Sequence, residues 1–466
     1  MWRVAGMVVA PGFIDAHTHS DTTVLAAAAG ELDETQSYAA VRQGVTVEVA
    51  GNCGFSAFPG TFSGLAALGR AHAAVGRTNH LVSLVGHGSL RAAVVGFEAR
   101  TASGAEIARM AESLDAALAS GAVGLSTGLI YTPGSYADTA EVTALARMAA
   151  LYGKPYVTHL RDEMSGVESA LAEALAIAQE SGAALHVSHH KTAGKHAWGR
   201  TSTTLAKLTG LRDAGMDVTC DVYPYTAGST ALAAMLPPWA HDGGPVRLLE
   251  RLRDPAQRAL MRMAIEQGVP GWENTVGNGG WDRISVAGAR RHPDYQGKSI
   301  AELAASRGMD SLDLVAELLL SEDGDVTIIS HSMQEDDMRR VLAAPFAVIG
   351  SDGVPTPGRP HPRWAGSFAR VLGHYTREVG LFALPEAVRK MTGAAAARFG
   401  LAGRGVLRDG AYADIVVFAP ERIADRATYE EPLAAPDGVA MVIVGGHVVV
   451  RDGEVLAARP GRVLAC

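Results

Sequence analysis

The chain has 466 residues, 48% of them apolar and 19% charged, which is enough apolar content for a large core and excludes a disordered chain. Its 41 Lys and Arg against 49 Asp and Glu leave a net charge of −8, which argues against nucleic acid as a partner because phosphate binding needs a basic surface. Three cysteines, Cys53, Cys220 and Cys466, are too few for a disulfide framework, and no apolar run reaches the roughly 18 residues of a membrane helix. A cytoplasmic protein with no membrane partner is expected; nothing in the sequence sets an oligomeric state.

Short apolar runs with strand character recur along the chain. They are "VVAPGFIDA" at the start, then 45–51, 80–86, 122–130, 155–160, 184–190, 217–225, 325–332 and 346–352. Stretches with helical spacing lie between many of them, at 104–119, 138–152, 165–181 and 202–214. Alternating strands and helices predict βαβ units and a parallel sheet. Several runs are apolar on both faces, as a sheet covered on both sides requires. The length fits a (β/α)8 barrel over 8–403. The candidate strands exceed eight by one, and "DVTIISHS" (325–332) is the one expected outside the barrel. Residues 232–300 break the rhythm with Pro237, Pro238 and repeated glycines, and read as an insertion near the pocket mouth. From 404 to 460, short apolar runs with Asp-Gly and Gly-Gly turns predict a small antiparallel β unit.

The residues able to do chemistry gather where strand gives way to loop. "GFIDAHTHSD" places His17 and His19 two apart, so they share one face if the run is a strand. "GNCGFS" places Cys53 after the second run, "VTHLRDE" places His159 at the end of the fifth, "HVSHHK" places His189 and Lys191 at the end of the sixth, and "VIGSDG" places Asp352 at the end of the last. Imidazole, thiolate and carboxylate form the ligand set of zinc. Packing alone explains such a set poorly, since buried ionisable groups cost free energy unless paired or ligated.

Taken with "GLSTGLIYTPG", "DVYPYTAGSTAL", "LPPWA", "ISHSMQEDDM", "HPRWAGSFARVLG" and "GVLRDGAYADIVVF", these stretches resemble the amidohydrolase superfamily, and within it the D-aminoacylase (N-acyl-D-amino-acid deacylase) branch. The resemblance runs from about residue 8 to 455. It implies a tightly held zinc on Cys53, His159 and His189. A second, weaker metal position would use His17, His19, Cys53 and Asp352, with the thiolate able to bridge. Asp352 matches the catalytic acid/base, and Lys191, Tyr223, Ser229 and Arg363 match the group that holds the substrate carboxylate and scissile amide. The related hydantoinases carry a carboxylated lysine on strand four, but here that strand reads "AVGLSTGLI", and Lys154 falls before strand five. General chemistry agrees with the implied roles. A metal ion lowers the pKa of bound water from about 15.7 to about 7, Asp352 can take and return its proton, and an arginine grips a carboxylate with two parallel hydrogen bonds. The implied reaction is zinc-dependent hydrolysis of an N-acyl-D-amino acid, a small-molecule substrate. The preference for the D-form comes from the resemblance alone.

Other residues are expected in plainer roles. Cys220 reads as core and Cys466 as a free, mobile thiol. His190 faces away from His189, and His186 and His331 are read as structural. His87 is open between lining the pocket and packing. Members of this branch begin with a longer N-terminal stretch whose strands complete a small β-sandwich. The tail strands here are therefore expected to lack partners and expose their edges. Two further readings stay open at this point. One is an amidohydrolase cleaving cyclic amides, in the manner of dihydropyrimidinases. The other is a truncated, non-catalytic homologue, against which the complete set Cys53, His159, His189 and Asp352 speaks.

Overall fold

The computed structural model describes residues 5–30 and 34–466. In chain order the strands are β1 (Val8–Pro11), β2 (Phe13–Asp15), β3 (Val45–Ala50), β4 (His80–Ser83), β5 (Val85–Gly86), β6 (Leu125–Gly128), β7 (Tyr156–His159), β8 (Leu185–Val187) and β9 (Val218–Val222). They continue with β10 (Gly228–Ala231), β11 (Ile284–Gly288), β12 (Thr327–Ser330), β13 (Ala347–Ile349), β14 (Ile415–Phe418), β15 (Val439–Val444), β16 (His447–Arg451) and β17 (Glu454–Val455).

Two parallel sheets carry the expected alternation. One has the order β2-β3-β4 and the other β13-β9-β8-β7-β6-β5. Leu84 alone separates β4 from β5, and its N–H donates to Ala50 O at 2.9 Å while Val85 N–H donates to Gly124 O at 2.9 Å. At the other edges, Ala16 N–H donates to Ile349 O at 3.1 Å and Asp352 N–H to His17 O at 2.8 Å. Valine-rich runs such as β3, VTVEVA, are buried along their whole length, as strands covered on both faces must be. One face packs Ile14, Val47, Val49, Val82, Leu84, Val157 and Val348 with Phe399. The other packs the largest core, where Leu125, Tyr156, Leu185 and Val218 meet helix residues such as Leu114, Leu145 and Leu171. Those helices start and stop where local chemistry directs. Gly104–Ala119 opens on a capping box of Ser103 and Glu106, and Val167–Ser181 ends at Gly182 in a left-handed conformation, φ 76°.

β12, the run expected outside the parallel array, pairs antiparallel with β10 and β11. Its apolar composition matches the parallel strands, and only its pairing separates it from them. A core of its own runs from Leu232 to Ile328, so the expected insertion 232–300 is part of a larger unit that returns to the parallel strands only after β12.

The tail is the clearest departure. The last strands do have a partner, because β1 pairs antiparallel with β14 from Val8↔Phe418 to Pro11↔Ile415 and gives the order β1-β14-β15-β16-β17. Val8–Pro11 was expected within the 8–403 unit and lies instead in the tail sheet. The chain changes sheets at Gly12, whose N–H donates to Asp414 O at 2.8 Å and where a Cβ would stand 2.4 Å from the Thr46 side chain. Only glycine fits that approach. Among the described residues no helix is long and apolar enough to cross a membrane.

Candidate active site

The carboxyl ends of the parallel strands meet a cavity of about 440 Å³, the usual location for ligands in such sheets. His17 and His19 follow β2, Cys53 follows β3, His159 ends β7, His189 follows β8, Tyr223 follows β9 and Asp352 follows β13. The structure brings the predicted ligand set together. Donor atoms of three groups, His17–His19–Cys53, Cys53–His159–His189 and His17–His189–Asp352, each lie within 4.8 Å of one another. Cys53 Sγ is 3.3 Å from His17 Nε2 and 3.4 Å from His189 Nε2. Asp352 Oδ1 is 3.2 Å from His19 Nε2 and 3.5 Å from His17 Nε2.

Backbone conformation helps to aim these groups. Cys53, His189 and Asp352 have φ of 52°, 32° and 50°, a left-handed geometry that residues with a Cβ adopt reluctantly. Strained residues of this kind cluster at functional sites. Electrostatics sets the protonation states. Burial opposes ionisation of the Cys53 thiol, but His17 and His189 beside it hold its pKa well below the usual thiol value. Burial likewise opposes charge on Asp352, and the Arg363 guanidinium with His17 and His19 keeps its carboxyl well below the ordinary range.

Arg363 is 1% exposed, stands at the start of the helix Arg363–Arg370, and lies with Nη1 2.8 Å from Asp352 Oδ2. Its Nη2 donates to Ser229 O at 3.2 Å, while its buried Nε has no hydrogen-bond partner among the described residues. Its guanidinium carbon lies 4.6 Å from the Tyr223 ring centre. Lys191, Tyr223, Ser229 and Arg363 all line the cavity. Ser229 contributes its carbonyl to Arg363, an involvement no side-chain motif signals.

Two carboxylates that the sequence reading left without a role complete the site. Glu163 lies inside the quoted "THLRDE". Its carboxylate lies 3.1 Å from His189 Nδ1 and pairs with Lys191 Nζ at 2.6 Å, and Lys191 Nζ is itself 2.7 Å from His189 Nδ1. Asp221 is fully buried behind the site. Its Oδ2 accepts from His17 Nδ1 at 3.2 Å and from His186 Nε2 at 3.0 Å, and its Oδ1 accepts from His189 N–H at 2.9 Å. His186 is therefore structural, as expected, but it steadies the carboxylate that orients two candidate ligands. His190 turns away to Thr204 Oγ1 at 2.8 Å. His87 does not reach the cavity and pairs with Glu141 at 2.8 Å. His331 sits beside Ser285, and Cys220 is core. Cys466 is exposed, yet its backbone is tied to Gly121 O and to Lys154 Nζ, so the expected mobile end is held.

The amidohydrolase family profile matches residues 4–450. A D-aminoacylase from Alcaligenes xylosoxydans xylosoxydans is 37% identical over 99% of this chain and 88% of its own. An N-acyl-D-glutamate deacylase from the same organism is 36% identical over 98% of this chain and 86% of its own. Among solved structures, an N-acyl-D-glutamate deacylase from Bordetella bronchiseptica, complexed with zinc and a phosphonate mimic of the tetrahedral intermediate, superposes with a TM-score of 0.83. That pair is 36% identical, over 100% of this chain and 90% of the other. The chain thus belongs to the amidohydrolase family, on the branch that contains the D-aminoacylases.

Proposed function

We propose that the chain hydrolyses N-acyl-D-amino acids to a carboxylate and a free D-amino acid, using zinc on Cys53, His159 and His189 and Asp352 as general base and then general acid. The observation that carries this reading is the meeting of Cys53, His159 and His189 in one cluster beside Asp352. His159 Nδ1 is buried without a hydrogen-bond partner among the described residues and Nε2 has Glu163 Oε2 no nearer than 3.4 Å, which is costly for packing alone and natural for a ligand. A second, weaker position on His17, His19, Cys53 and Asp352 belongs to the same reading. When bound, zinc supplies a Lewis acid that acidifies water and polarises the amide carbonyl.

The remaining work falls to side chains. Asp352, held as an anion, accepts the proton of the attacking water and passes it to the leaving amine. The unpaired Nε of Arg363, with Lys191, Tyr223 and the Ser229 segment, holds the substrate carboxylate and orients the scissile bond. For the scaffold we infer a closed (β/α)8 barrel, supported by Leu84, which carries β4 directly into β5, and by the bonds that join the end of β2 to that of β13. The unit 228–330 then forms an insertion beside the mouth, and β1 with β14–β17 forms the small β domain. A cytoplasmic location is part of the reading, supported by three unpaired cysteines.

One batch each of wild type, Cys53→Ala and Asp352→Ala tests the function, by zinc content and by release of amino acid from D- and L-forms of N-acetyl-methionine, -leucine and -glutamate. Wild type is expected to hold zinc and release D-amino acids only. Cys53→Ala is expected to lose zinc. Asp352→Ala is expected to keep zinc and lose about 100-fold or more in kcat. Zinc-loaded wild type that cleaves neither series refutes the reading.

A further inference from the structure

His361 opens the "HPRWAGSF" stretch, is 3% exposed, and faces the rear of the substrate grip rather than the cavity. Its Nε2 lies 2.9 Å from the carbonyl oxygen of Ala227, and its Nδ1 lies 3.0 Å from the backbone N–H of Arg363. An amide N–H can only donate and a carbonyl can only accept. The two contacts therefore require one form of the ring, neutral, with its proton on Nε2.

The position of these two bonds gives them a consequence. Ala227 precedes β10, which carries Ser229. Arg363 Nη2 donates to Ser229 O at 3.2 Å. The segment 361–363 is thus tied twice to the segment 227–229, although the two are 134 residues apart in sequence. Tyr223 at 6.3 Å, Tyr225 at 5.4 Å and Tyr429 at 5.3 Å surround the imidazole with their rings. We propose that His361 is a positioning residue. Through its neutral Nε2–H form it sets the spacing between Arg363 and the Ser229 strand, and with it the fit of the substrate carboxylate. The proposal rests on the deacylase reading above.

The surroundings favour that form. Burial and the positive charge of Arg363, with His331 acting in the same direction, outweigh Asp352 and the Ala227 carbonyl and push the imidazole pKa well below its usual value. A second proton would replace the Nδ1 acceptor with a donor facing another donor.

The test combines three variants with one measurement on the wild type. His361→Phe keeps a ring and loses both bonds. His361→Asn offers an oxygen to Arg363 N–H, and His361→Gln offers a donor to Ala227 O. Steady-state kinetics with N-acetyl-D-methionine is expected to show KM raised on the order of tenfold in His361→Phe. Zinc content should be unchanged and kcat should move less than KM, with partial recovery of KM in Asn and Gln. Wild-type KM in His361→Phe overturns the proposal. So does an equal loss of kcat, KM and zinc in all three variants, which marks a purely structural role. If His361→Phe does not fold, imidazole nitrogen NMR of the zinc-loaded wild type decides. A protonated Nε2 and bare Nδ1 at neutral pH are expected, and an Nδ1–H or cationic ring overturns the proposal. The nitrogen shifts are read without substrate. An inactive wild type with the expected ring therefore fails the deacylase reading and takes the grip with it, whereas an active wild type with the wrong ring fails this inference alone.

Discussion

Asp221 offers the sharpest quantitative test of how the site is held. Its carboxylate has no solvent exposure and receives His17 Nδ1, His186 Nε2 and the His189 amide at 3.2, 3.0 and 2.9 Å. Burial alone would raise its pKa, but the imidazoles of His17 and His186 reverse this and hold it far below the usual carboxylate value. Asp221→Asn preserves shape and removes charge. One of its two side-chain atoms becomes a donor that meets a donor. Hydrogen bonds to charged groups contribute about 1.5–3 kcal/mol each, so the loss of two corresponds to about 3–6 kcal/mol, in line with the roughly 3–5 kcal/mol for breaking a buried pair. Because the folded pKa is depressed, this contribution is present above the unfolded carboxylate value of about 3.9 and is lost only as pH falls from there towards the far lower folded value. His17, a candidate ligand, also loses its orienting partner, and loss of such a supporting partner costs about 10–100-fold in metal affinity. Urea denaturation gives the stability change, and zinc competition against a chelator gives the affinity. A variant within about 0.5 kcal/mol of wild type that binds zinc equally well refutes the argument. His186→Gln, which removes one partner only, should fall between the two.

Glu163→Gln removes the negative charge that faces both Lys191 and the His189 ring. Zinc affinity should fall by about 10–100-fold, as read by chelator competition. The cavity wall formed by Ile130, Met235, Leu236, Pro238 and Trp272 is apolar. Lys191 and Arg363 are taken by the substrate's own α-carboxylate in this reading, and burial pushes the pKa of His241 down to about 4. N-acetyl-D-methionine and N-acetyl-D-leucine should therefore exceed N-acetyl-D-glutamate in kcat/KM by at least roughly tenfold, and equal rates contradict this account of the wall. Glu273 accepts from Glu163 N–H, and burial together with the Glu163 charge raises its pKa to about 8. A raised carboxyl contributes most below its unfolded pKa and loses that contribution as pH climbs to about 8. The melting temperature of wild type should accordingly fall between about pH 5 and pH 8 more steeply than that of Glu273→Gln.

What could be read from the sequence follows from local rules. His17, Cys53, His159, His189 and Asp352 were identifiable because each lies where an apolar run ends, and strand ends are where such sheets place reactive groups. Helices such as Gly104–Ala119 and Thr201–Asp213 were visible in their spacing. Asp221, Glu163 and His361 were not identified, although all three lie in quoted motifs, because their roles exist only across long sequence separations. The Asp221–His17 contact spans 204 residues. β12 has the composition of a parallel strand and differs only in its pairing. The placement of β1 depends on where the chain turns at Gly12, and a run read as continuous conceals that break.

The left-handed backbone at three residues of the site, Cys53, His189 and Asp352, has a consequence for anyone evolving this enzyme. A left-handed backbone costs a residue with a Cβ about 1–2 kcal/mol, and glycine escapes that cost. Cys53→Gly, His189→Gly and Asp352→Gly each relax the chain while deleting a donor atom. At Asp352 that relief is smaller than the roughly 3–5 kcal/mol lost when the buried Arg363 is left unpaired, so the strained backbone persists there because the site around it over-determines it.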